Sequence, residues 1–145
     1  MLVHQILKSK ASAGVVTVTS STTVSDAAKV LSAHRIGTVI VSDDDGTTAA
    51  GILSERDIVR ELGAVGGGCL DQPVSAYMTS KLVTCGKESS SQAVLTQMTE
   101  GRFRHMPVLE DGKLIGIVTL GDMVKAQLTE LAMEKDALEG MIMGH

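Results

Sequence analysis

Aromatic residues are almost missing: Tyr77 and Phe103 are the only two in 145 residues, and there is no Trp. A surface that holds single-stranded nucleic acid by stacking its bases has almost nothing to work with here. Positive charge is also short. Against 17 Asp and Glu stand 13 Lys and Arg, a formal net charge of -4 and a pI near 5.5, which is the wrong sign for wrapping DNA or RNA. Long apolar runs are absent, since the longest nearly unbroken stretch, 114–118, contains a glycine and falls far short of the ~20 residues of a membrane helix. Residues 1–13 mix His4, Lys8 and Lys10 with isolated apolar positions, so neither the apolar centre of a signal peptide nor the arginines of a transit peptide are expected. Cys69 and Cys85 form no CxxC, which points to a reducing cytoplasm and to thiols with no disulfide role. His4, His34 and His145 have no ligand spacing with one another or with cysteine, so no metal site is expected. Asp43-Asp44-Asp45-Gly46 is too short for a calcium loop and falls where a hairpin turn is wanted.

What the chain does contain is 43% apolar residues, enough for a folded core, and a copy of itself. Val16-Thr17 recurs as Val83-Thr84, Arg35 as Arg102 and Val41 as Val108, all at a spacing of 67. Asp45-Gly46 matches Asp111-Gly112 at 66, and Gly51-Ile52 with Asp57 and Val59 matches Gly116-Ile117 with Asp122 and Val124 at 65. The two steps fall around a turn, where insertions are tolerated.

Each copy predicts the same β-α-β-β-α string. A β-branched run, 15–18 or 82–85, leads to a capped helix, with Thr23-x-x-Asp26 and Ser89-x-x-Gln92 as capping boxes. Ala27, Val30 and Leu31, or Val94, Leu95 and Met98, form the buried face of that helix. A hairpin follows, 39–41 with 50–53 or 106–108 with 114–118, turning at Asp-Gly. The closing helix starts at Ser54 with Ile58, Val59 and Leu62, or at Thr119 with Met123, Val124 and Leu128. One copy of about 60 residues buries only ~60% of its unfolded surface and is marginal alone. The two copies are therefore expected to pack together, joined by a linker at 63–72 that contains Gly66-Gly67-Gly68.

Gly51-Ile52-Leu53-Ser54-Glu55-Arg56-Asp57 and Gly116-Ile117-Val118-Thr119-Leu120-Gly121-Asp122, with Arg102-Phe103-Arg104-His105-Met106-Pro107-Val108, resemble a tandem pair of cystathionine-β-synthase (CBS) domains over about residues 10–130. Length and helical tail are most similar to the stand-alone CBS-pair proteins of bacteria and plant organelles. The resemblance implies an α/β (α+β) pseudo-twofold module, with one repeat at 10–66, a second at 73–130 and a helical extension at 131–145. It also implies two clefts between the repeats that bind adenosine compounds, AMP first, with ATP, S-adenosylmethionine or NAD(H) as alternatives. No catalytic residue is implied.

Ser54 with Asp57, and Thr119 with Asp122, are on chemistry alone helix caps. The same geometry offers backbone N–H groups to a phosphate and a carboxylate to two ribose hydroxyls. The resemblance adds Val16, Thr17 and Thr38 from the first repeat to the nucleotide-binding set. From the second repeat it adds Val83, Thr84, Met106 and Ile117. Arg104 and His105 precede Pro107, and Arg guanidinium suits phosphate oxygens. The family pattern directs them, with Arg56, toward the cleft of Ser54 and Asp57, where His105 would favour an anion as it protonates below roughly pH 6.5. Gly37, Thr38 and Gly121 occupy the matching positions of the second cleft, which is expected to be poorer in cations. A structural dimerisation module with vestigial clefts is the rival reading. An enzyme is disfavoured, because the glycine run lacks the Lys-Ser/Thr of a phosphate loop. Val124, Leu128, Leu131, Leu138 and Ile142 continue an apolar stripe past the second repeat and predict a homodimer.

Overall fold

A computed structural model describes residues 1–10 and 14–142; His145 and the last residues of the expected extension lie outside them. The chain opens with α1 (Val3–Ser9), followed by β1 (Thr17–Val18), α2 (Val24–His34), β2 (Thr38–Val41), β3 (Gly51–Ser54) and α3 (Glu55–Val65). Two short 3-10 segments, Gly66–Asp71 and Val74–Ala76, lead into the second copy. That copy comprises α4 (Ser91–Gly101), β4 (His105–Glu110), β5 (Lys113–Thr119) and the long α5 (Leu120–Ile142). The fold is the expected mixed α/β repeat. Among the described residues no helix is long and apolar enough to cross a membrane.

In the first copy β1 runs parallel to β2, and β2 pairs antiparallel with β3, with Ile40 opposite Ile52. In the second, β4 and β5 form a hairpin with Pro107 opposite Ile117. Asp111 and Gly112 both take positive φ, 52° and 77°, as a tight two-residue turn between right-twisted strands requires. The first hairpin is looser. Asp45 and Gly46 again have positive φ, 55° and 84°, but Asp44 organises the turn by accepting from the Thr48 N–H at 2.8 Å and from the Ser42 and Thr48 hydroxyls at 2.9 and 2.6 Å. Those bonds lower its carboxyl to a pKa of about 2.

Three local expectations are corrected. The run 82–85 is not a strand; only Cys85 pairs, taking the Leu109 N–H on its carbonyl and donating its own N–H to Pro107 O. The second capping serine is Ser90, which accepts from the Ala93 N–H at 3.1 Å, whereas Ser89 accepts from Gly86. The linker is not a loose glycine run, since Gly63 lies inside α3 and Cys69 is buried in the following 3-10 segment.

Each copy has its own core, and each core borrows from the other copy's leader. Val3 and Ile6 of α1, which precedes the first copy, are buried among Val94, Met98, Met106, Val118 and Met123 of the second. Val74, at the very start of the second copy, is buried among Val24, Leu31, Val39 and Leu53 of the first. Matching glycines admit the two leaders. A Cβ on Gly51 would meet Met78 Sδ at 2.5 Å, and one on Gly116 would meet Leu7 Cδ2 at 2.8 Å, separations no real Cβ tolerates. The expected mutual packing of the copies is thus an exchange of segments.

Candidate functional site

Thr38 and His105 are 67 positions apart, the repeat spacing itself, and their side chains meet: Thr38 Oγ1 lies 3.0 Å from His105 Nδ1. Equivalent residues that touch one another mark the pseudo-twofold axis. Both line two clefts, one of about 440 Å³ and one of about 460 Å³, each within the usual range for a small-molecule site.

The first cleft is walled by Ser54, Glu55, Arg56, Asp57 and Arg60 at the start of α3, and by Lys81, Val83 and the run Arg102–His105 of the second copy. Arg56, Arg104 and His105 do converge with Ser54 and Asp57. Arg60, Lys81 and Arg102 join them, so five permanent cations face two carboxylates. These three were missed by sequence reasoning, although the Arg35/Arg102 recurrence was a signal: both residues end a helix in the left-handed conformation, at φ 54° and 57°.

Local chemistry fixes the helix start. Ser54 Oγ accepts from the Asp57 N–H at 3.2 Å, and Asp57 Oδ2 accepts from the Ser54 N–H at 2.9 Å. Oδ1 accepts from the guanidinium of Arg60, which is 66% exposed. A hydroxyl ligand can therefore reach Asp57 by displacing one exposed arginine rather than by opening the cap. His105 differs from expectation. Its burial, assisted by Lys10, outweighs the pull of Asp122 and Glu55 and holds its pKa below 6.5, so protonation begins at more acidic pH than the isolated imidazole suggests.

The second cleft repeats the plan with the copies exchanged: Val16, Thr38 and Ile40 of the first copy face Ile117 and Thr119 of the second. Thr119 Oγ1 accepts from the Asp122 N–H at 3.1 Å, and Asp122 Oδ2 accepts from the Thr119 N–H at 2.9 Å. A cation is present that sequence reasoning passed over. Lys10 lines this cleft and donates to Asp122 Oδ2 and to Ile117 O, both at 2.9 Å. Burial raises the Asp122 pKa, but the Lys10 and Thr119 hydrogen bonds more than offset that and hold it below the usual value. Asp122 does not itself line the cleft while Lys10, bonded to its Oδ2, does.

Of the other residues expected to touch a nucleotide, Met106 is fully buried in the second core, because successive residues of β4 face opposite ways and its neighbours His105 and Pro107 take the cleft side. Val16, just ahead of β1, lines the second cleft, but neither Thr17 nor Thr84 is among the residues lining either cleft.

The sequence profile of the CBS domain matches residues 6–64 and again residues 74–129. CBSX3, a mitochondrial CBS domain-containing protein of Arabidopsis thaliana, is 35% identical over 129 residues, covering 87% of this chain; the chain spans 63% of that relative's length. The crystal structure of the CBS-domain protein ATU1752 of Agrobacterium tumefaciens superposes with a TM-score of 0.82 at 42% identity, over 88% of this chain and 99% of the other. The CBS domain pair of MJ0100, solved with 5′-methylthioadenosine and S-adenosyl-L-methionine, superposes with a TM-score of 0.77 at 25% identity, over 90% and 98% of the two chains. With two matched repeats, exchanged leaders and a residue pair on the pseudo-dyad, the chain belongs to the CBS-domain family as a tandem pair.

Proposed function

We propose that the chain is a non-catalytic sensor that takes an adenine nucleotide, AMP in the first instance, in the first cleft. The observation that carries this reading is the meeting, in one cleft, of a capped helix N-terminus, the Asp57 carboxylate and five cationic side chains. Guanidinium forks suit a phosphate, and an acid in the first turn suits a ribose diol. The adenosine ligands of the MJ0100 pair favour the same class. Burial pushes the Cys85 thiol up to about 11, which leaves it protonated near neutral pH and unsuited to nucleophilic chemistry.

Calorimetric titration tests the reading with AMP and then with ATP, NAD(H) and S-adenosylmethionine, which are the competing ligands for the same cations. Saturable binding of AMP without turnover is the expected result. Turnover sinks the sensor, and silence toward every compound leaves a structural module with vestigial clefts.

A homodimer completes the proposal. Along α5, Val124, Leu128, Leu131, Leu138 and Ile142 are 42 to 84% exposed, and Val59 and Val65 of α3 are more than 60% exposed. Apolar faces of this kind mark interaction surfaces, and twofold pairing is the commonest closed arrangement. Removing residues 132–145 is expected to weaken the dimer and to leave AMP binding intact. Light scattering on both proteins is the check, and a full-length monomer at tens of micromolar (roughly where a stable interface is populated) defeats the idea.

A further inference from the structure

The two clefts share one plan, yet their acids are engaged differently. Asp57 gives its outer oxygen to Arg60, an exposed neighbour on the same helix. Asp122 is held by Lys10, which comes from the far end of the chain, is only 21% exposed and has a second anchor on Ile117 O. Its ammonium therefore occupies two acceptors, a carboxylate oxygen and a backbone carbonyl, that hydroxyl donors of a ligand would use. Lys10 directly follows α1, which is packed in place by buried Val3 and Ile6 and by Leu7 over Gly116.

We propose that Lys10 is a specificity-determining residue: it stands in the second cleft as a built-in competitor for the donor groups of a sugar, so the chain takes one adenosine ligand, in the first cleft, rather than two. The inference rests on the nucleotide reading above. A diol entering the second cleft must break a charge-assisted hydrogen bond and leave an ammonium to be resolvated in a partly buried site. In the first cleft the corresponding exchange releases only an exposed arginine to water. The rest of the second cleft's lining is mainly aliphatic, with Val15, Val16, Ile36, Ile40 and Ile117, so it has the walls for an adenine ring once the polar end is freed.

The test is a titration of the full chain, Lys10→Met and Lys10→Gln with AMP and with adenosine. Calorimetry reads the stoichiometry, and backbone amide shifts of Gly116 and Gly121 report the second cleft while those of Glu55 and Arg56 report the first. Methionine keeps the aliphatic stem and glutamine keeps a neutral polar end, so a folding defect in one does not remove the comparison. The expected result is one ligand per parent chain, with only first-cleft shifts, and two per chain in both variants. Lys10 does not line the first cleft and reaches it only through its charge on His105, so the first cleft should still fill in both variants. If the parent already fills both clefts at equal concentration, Lys10 is no barrier. If the first cleft fills in every protein and the second stays silent in both variants, the inference fails while the nucleotide reading stands. Silence in both clefts of all three proteins overturns both.

Discussion

Ile6→Ala is expected to lower the stability of the whole chain by about 2–5 kcal/mol, the cost of removing buried methyl groups and leaving a cavity in a packed core. Ile6 is 3% exposed among residues of the second copy, although it lies ahead of the first. Against the ~5–15 kcal/mol that holds a domain folded, the loss is large. It should also be misplaced in sequence terms: amide exchange should quicken in α4 and β4 more than in β2. Denaturant unfolding followed by circular dichroism gives the magnitude. A change below about 1 kcal/mol, well under the range for a large buried residue, or one confined to the first copy, is incompatible with the exchanged leaders.

Asp57→Ala should weaken AMP by about 10- to 140-fold, the equivalent of the ~1.5–3 kcal/mol of a hydrogen bond to a charged group. The same substitution removes half of a capping box and costs about 0.5–2 kcal/mol of stability, so binding must be read where the protein is fully folded. The decisive comparison uses 2′-deoxy-AMP. It should bind the parent worse than AMP does, and the mutant should scarcely distinguish the two, because the acceptor is already gone. Arg104→Ala is the companion experiment: the salt dependence of AMP binding should flatten as a cation is removed from the cleft. Equal affinities for AMP and its deoxy form in the parent would return Asp57 to capping alone.

The repeat was legible because it is a matter of register. Asp45-Gly46 and Asp111-Gly112 report positive-φ turns directly, and Ser54 and Thr119 announce helix starts through residues three positions away. The convergence of Arg56 with Arg104 and His105 was reachable only through the family pattern. Information spread over long separations did not show. Lys10 finds Asp122 from 112 positions away, and nothing in residues 1–13 marks that lysine apart from its neighbours. Ser89 was read as the second cap from its spacing to Gln92, whereas the helix starts one residue later on Ser90, with Ser91 buried and bonded to Gln127. Met106 and His105 were assigned together because adjacent residues share a motif, whereas a strand sends them to opposite faces.

The Thr38–His105 contact has a meaning for a chain built from a duplicated unit. Two identical single repeats related by a strict twofold axis would set this position against its own copy, Thr on Thr or His on His, and whatever one half offers the other must offer too. Joined in one chain, the halves are released from that constraint. A hydroxyl now faces an imidazole across the axis, and the protein can differ from itself at the point where symmetry is most demanding. Asymmetry introduced there reaches both clefts at once, since both residues stand in both walls. Which of the two donates in that bond depends on the ring's tautomer, so a proton shift on the imidazole changes a contact that both clefts share.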